Sequence, residues 1–204
     1  MLFNFECGYC RIKKDKNMSA KFVIGLAGMP GSGKSLVVNV ACKMGYAVVV
    51  MGDVVREETR GRGLDLDPKN IGKVMLELRK EGGASVIAER CIPKIEQQKS
   101  EKVIVDGLRS LSEVETFKRR FPNFSLVAVF ATQETRFNRL FLRHRSDDPD
   151  GRELFNERDM RELGVGLGNA IAMADYLIIN EGNKNSTKAA VREFIRRIEK
   201  KWTR

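Results

Sequence analysis

The stretch KFVIGLAGMPGSGKS, residues 21–35, runs from an apolar, β-branched segment into a glycine-rich turn ending in Gly-Lys-Ser. The next residues, KSLVVNVACKMG (34–45), carry helical spacing. A buried strand, a tight loop and a helix in immediate succession predict a loop whose backbone N–H groups curl inward above a helix N-terminus. That arrangement favours an anion for two reasons: the amides converge on it, and the helix dipole adds positive potential.

Four further apolar runs repeat the strand pattern: AVVVMGD (47–53), KVIVDG (102–107), SLVAVFA (125–131) and DYLIIN (175–180). Each is short and nearly continuous, and helical segments separate them. This pattern predicts a parallel sheet covered on both faces, an α/β fold in three layers with five strands. After Ser110, Leu111, Val114, Phe117 and Phe121 recur at helical intervals, with Ser110 and Glu113 spaced as a capping box. Val191, Phe194, Ile195, Ile198 and Trp202 form the stripe of a last helix. Between the second and third runs, NIGKVMLELRKEGGASVIAERCIPKI reads as two helices broken at Gly82-Gly83, part of a helical lobe at about 54–98.

The chain has 204 residues, 42% of them hydrophobic, enough for one core. No run reaches the ~18 apolar residues of a membrane span, and no secretory signal is legible, so the expected compartment is the cytoplasm and no membrane partner is expected. A net charge of +10 favours anionic partners. Cys7 and Cys10 have metal-ligand spacing but no second pair, so no cysteine metal site is expected. Cys42 and Cys91 are expected to be small core residues. Residues 1–20 read as a basic, poorly ordered extension, with Met18 an alternative start, and 21–204 as the domain.

Gly28, Met29, Pro30, Gly31, Ser32, Gly33, Lys34 and Ser35 fit the pattern GxxxxGK[ST] in full. In that pattern the backbone cradles the phosphates of a nucleotide such as ATP. The lysine reaches the β- and γ-phosphates, and the serine hydroxyl is a ligand for Mg²⁺. Asp106 ends a neighbouring apolar run, where such folds hold the magnesium's shell. Arg136, Arg139 and Arg143, at i, i+3 and i+7, are expected on one helix face, with Phe137, Leu140 and Phe141 anchoring the other. Three like charges on one stripe suit an anion between them.

GMPGSGKS, GDVVR (52–56), DGLRS (106–110) and RSDD (145–148) follow one another in an order that resembles adenylate kinase and its nucleoside-monophosphate-kinase relatives, over about residues 21–182. The whole is most similar to the archaeal adenylate-kinase-related P-loop proteins, and the closing MADYLIINEG is similar to the end of dephospho-CoA kinases. The resemblance implies a strand order of 2-3-1-4-5 and a kinase that uses ATP and Mg²⁺. It implies that Arg56 and Arg109 grip the acceptor's phosphate, although no proline precedes Arg109. It implies that Arg139, Arg143 and Arg145 neutralise the moving phosphoryl group, with Arg158 as a further candidate. The chain departs from the family in its short lid, about 143–158, and in the charged loop RGRGLDLDP (60–68).

Three functions remain open on the sequence. A nucleoside-monophosphate acceptor needs no general base, and Asp53 would then orient an arginine or the magnesium's waters. A hydroxyl acceptor such as dephospho-CoA would need Asp53 as the base. An RNA-associated ATPase or switch is the third. Nucleic acid is the less favoured partner, because aromatic residues are only 7% and fall mostly on core stripes.

Overall fold

The computed structural model describes residues 20–143 and 150–202. Its centre is a five-stranded parallel sheet in the order β2-β3-β1-β4-β5, built from β1 (Phe22–Ala27), β2 (Ala47–Val50), β3 (Lys102–Leu108), β4 (Asn123–Phe130) and β5 (Tyr176–Ile179). This is the fold class and strand order expected from the sequence.

Alternation along the central strand explains the three layers. Val23 and Ala27 face one core, with Val103, Val105, Leu126 and the helices α3 (Pro68–Gly82), α4 (Val86–Glu96), α5 (Leu111–Arg120) and α8 (Leu167–Ala172). Ile24 and Leu26 face the other, with Ile104, Val127, α1 (Lys34–Lys43) and α9 (Lys184–Trp202). Side chains that alternate across a strand buried on both faces leave no polar positions inside it.

The second strand is shorter than its apolar run suggests. β2 stops at Val50, and Met51 already opens α2 (Met51–Gly61), so Gly52 and Asp53 lie in a helix's first turn. The lobe between β2 and β3 holds α2, α3 and α4, with the break at Gly82-Gly83 where the glycine pair places it. Asp67 caps α3 by accepting from the Asn70 N–H at 2.7 Å, and Pro68 opens the first turn. Ser110 caps α5 by accepting from the Glu113 N–H, as the capping box predicts. The reciprocal arm differs: the Glu113 carboxylate accepts from the Arg109 N–H at 2.7 Å and pairs with Arg79 at 2.6 Å, fully buried.

Between β4 and β5 the chain forms α6 (Gln133–Arg143) and α7 (Arg152–Val165), followed by α8. Cys91 is buried as expected, whereas Cys42 is exposed. The Cys7–Cys10 pair and the rest of the N-terminal extension lie outside the described residues, as does Arg145. Among the described residues no helix is long and apolar enough to cross a membrane, and no cluster of three or more His, Cys, Asp or Glu side chains is placed to hold a metal.

Candidate active site

The loop Gly28–Gly33 lies between β1 and α1 at the C-terminal edge of the sheet. Two of its glycines are required by space as well as by backbone. Gly31 has φ 81°, and a Cβ there would come within 2.7 Å of the Arg136 carbonyl. Gly33 has φ 97°, and a Cβ there would collide with Asn180 Nδ2. Left-handed backbone and close approach together leave glycine as the residue that fits.

The Lys34 ammonium donates to the Gly28 carbonyl at 2.6 Å, inside the loop's curl. Burial pushes its pKa down, while the Asp106 carboxylate pulls in the opposite direction. Ser35 follows on the first turn of α1, exposed. Asp106 comes to the loop through the sheet's register: β3 lies between β1 and β2, and Asp106 pairs with both Leu26 and Val50. Burial raises the Asp106 pKa, and Lys34 and Arg109 partly offset the rise. Its Oδ1 is buried and accepts no hydrogen bond. A buried carboxylate oxygen left open beside a phosphate-sized cradle suits the water shell of a divalent cation.

A cavity of about 190 Å³ lies over the loop, lined by Gly28, Pro30, Gly31, Lys34, Asp106 and Arg143 among others. A second, of about 230 Å³, opens between α2, α3 and α7, with Val55, Ile71, Met75 and Leu154 as its apolar lining. The two share Gly52, Arg56, Arg109, Arg158 and Glu162. Three arginines and one carboxylate therefore form the wall through which the cavities meet. Gly52 packs under Arg56, with a guanidinium nitrogen 3.2 Å from where its Cβ would be. Arg56 Nη1 donates to Asp53 Oδ1 at 2.7 Å, and both side chains are exposed. Arg109 Nε is 2.9 Å from Glu162 Oε2.

The arginine stripe of α6 divides three ways. Arg136 is buried in a two-pronged pair with Asp159 of α7 at 2.8 and 2.5 Å. Arg139 donates to the Ser32 and Asn180 carbonyls at 3.3 and 2.7 Å. Arg143 lines the cavity over the loop. The apolar residues also split: Leu140 is buried on the arginines' side and lines that same cavity, while Phe141 is 45% exposed. Residues at i and i+4 share a face, so Leu140 follows Arg136 inward.

Sequence reasoning missed the roles of four residues here. Asn180, where β5 ends, donates from Nδ2 to the Ser32 carbonyl at 2.8 Å and stands against Gly33, fixing the loop from behind. The similarity of MADYLIINEG to a family terminus was its one signal. Glu113 was legible as half of a capping box but not as the partner of Arg79, and Asp159 and Glu162 gave no signal beyond helical spacing, because these ion-pair partners lie 23 to 53 positions away in sequence.

Residues 27–155 match the AAA domain family, beginning at the end of β1 and running into α7. The UPF0200 protein of Methanothermobacter thermautotrophicus is 45% identical over 179 residues, which cover 88% of this chain and 92% of that protein. The chain belongs to the UPF0200 family. Among solved structures, TT1252 from Thermus thermophilus superposes with a TM-score of 0.60 at 17% identity, covering 88% of this chain and 98% of that one. A shikimate kinase from Bacteroides thetaiotaomicron does so with 0.57 at 14% identity, over 86% and 98%. These likenesses show that the UPF0200 chain shares its fold with both structures, one of them a kinase.

Proposed function

We propose that the protein is an ATP-dependent phosphotransferase whose acceptor carries a phosphate, of the nucleoside-monophosphate class. The observation that carries this reading is the shared wall of Arg56, Arg109 and Arg158 between the loop's cavity and the second one. Each arginine offers a planar fork that matches a phosphate's oxygens, and fork pairs orient as well as attract. An acceptor seated in the second cavity would present its phosphate to that wall. Its apolar lining suits a nucleobase-sized body.

In this reading the triphosphate lies on Gly28–Ser35. Lys34 contacts its β- and γ-phosphates, and Ser35 and Asp106 would hold Mg²⁺, which would supply neutralisation of the phosphates' charge. An oxygen of the acceptor's phosphate attacks the γ-phosphorus as the bond to the β–γ bridging oxygen breaks, and ADP leaves. The acceptor oxygen is already anionic, so no general base is required. Arg143, and Arg139 only through the loop carbonyls it holds, would steady the charge of the moving group.

A hydroxyl acceptor would require Asp53 to take a proton. Asp53 is instead exposed and hydrogen-bonded to Arg56, which favours a role in orienting that arginine. The shikimate kinase likeness is a likeness of fold and carries no acceptor with it. The deciding assay offers Mg·ATP with a panel of nucleoside monophosphates and dephospho-CoA. Phosphorylated monophosphate is the expected product. Exclusive phosphorylation of dephospho-CoA, or ADP release with no phosphorylated acceptor, would overturn the reading.

A further inference from the structure

Glu162 is unusual among the carboxylates near the site. It is buried, on α7 one turn after Arg158, and belongs to the wall common to both cavities. Its Oε2 is 2.9 Å from Arg109 Nε, yet that oxygen accepts no hydrogen bond, so the contact is an ion pair without an aligned N–H. The rest of the Arg109 guanidinium is weakly held, with Nη1 3.0 Å from the Met75 sulfur, a poor acceptor. Glu162 is the one ion-pair partner of Arg109 among the described residues. Its field also reaches Lys34, where Asp106 and Glu162 act against Arg109 and Arg158.

A cluster of cations in a half-closed cavity is costly unless an anion balances it. Here a carboxylate supplied by the chain does so. We propose that Glu162 is a resident counter-ion that competes with the acceptor's phosphate for Arg109 and so sets the acceptor's affinity; this rests on the phosphate-clamp reading above. A phosphate monoester carries more charge than a carboxylate and can take both prongs of the fork. The unaligned ion pair is thus the contact it displaces most cheaply. Once displaced, Glu162 still repels the bound phosphate, which limits how tightly the clamp holds its ligand and helps product leave.

The sign of the effect separates this role from a structural one. A residue that merely supported the site would weaken binding when altered. Removing a competing charge strengthens it. The experiment is calorimetric titration of AMP into the full chain, comparing wild type, Glu162→Gln, Glu162→Asp and Arg56→Lys, with thermal unfolding of each. Glu162→Gln should bind AMP roughly fivefold or more tightly, the effect of one charge removed at close range in a partly solvated site. Glu162→Asp, which keeps the charge but withdraws it by one methylene, should tighten binding less, and it serves as the test if the glutamine variant does not fold. Unchanged or weaker AMP affinity in a folded variant would overturn the counter-ion role. Arg56→Lys is the separate check on the clamp. If it weakens AMP binding while the Glu162 variants fail to tighten it, only the counter-ion inference falls. If it leaves AMP binding unaltered, or if wild type binds no AMP, the clamp reading falls and takes this inference with it.

Discussion

Arg136 and Asp159 join α6 to α7 through a two-pronged ion pair buried beneath the phosphate loop, with side chains only 6% and 8% exposed. Arg136 also donates to the Pro30 carbonyl at 3.1 Å, and its guanidinium lies over the Phe155 ring at 5.1 Å. Loop, helix and returning helix are thereby fastened at one point. Asp159→Ala leaves a buried guanidinium uncompensated and should cost about 3–5 kcal/mol. That corresponds to a fall of roughly 6–20 °C in the unfolding midpoint for a domain of this size. Replacing both partners, Arg136→Met with Asp159→Leu, should recover much of the loss, measurable by differential scanning calorimetry. A single variant as stable as wild type would show that the pair is solvated in practice.

Lys34→Ala should reduce turnover at least about a hundredfold, the scale of losing one charge aimed at the developing transition state. Among the described residues the side chain hydrogen-bonds only to loop carbonyls, so the unfolding midpoint should move little. Steady-state kinetics beside a melting curve tests both halves. Retained turnover would remove the loop lysine from the chemistry.

Asp106→Asn should separate stability from activity. Burial raises the folded-state pKa of Asp106 above its unfolded value. Its contribution to stability is therefore complete below the unfolded value and is lost as pH rises through the folded one. The asparagine variant carries no such loss, so without metal it should be at least as stable as wild type near pH 8. It should nonetheless need much more Mg²⁺ for turnover. The wild-type activity should fall on the acid side at a pH above that of an ordinary aspartate, and the variant should lack that limb. Titrating Mg²⁺ across a pH series decides the matter.

Arg56→Lys should raise the acceptor's KM by roughly tenfold or more, since a lysine cannot reproduce the fork. The KM for ATP should change less than about twofold, because the triphosphate is held chiefly by the backbone of Gly28–Gly33 and by Lys34, and Arg56 makes its hydrogen bond to Asp53 on the acceptor side. Asp53→Asn should be milder, since it orients Arg56 and removes no proton. The reverse outcome, with kcat destroyed by Asp53→Asn and Arg56→Lys mild, would indicate a hydroxyl acceptor.

The sequence alone determined what local chemistry can encode. The step from FVIGLA into GMPGSGKS specifies strand, glycine loop and helix because each depends on neighbours within a few positions. Near-continuous apolar runs likewise specify a parallel sheet buried on both faces, and Gly82-Gly83 specifies the break between α3 and α4. Asp106 was legible because it ends such a run.

Tertiary structure decided what each polar side chain faces. Helical spacing put Arg136, Arg139 and Arg143 on one stripe but could not say that the first meets Asp159, the second meets carbonyls and the third lines the cavity over the loop. Nor could it give Arg109 its partner Glu162, or place Asn180 behind Gly33. Local propensity is set along the chain, whereas burial and charge balance are set across it. The residues that surround a phosphate site belong to the second kind, because the sheet gathers them from five separate strand ends.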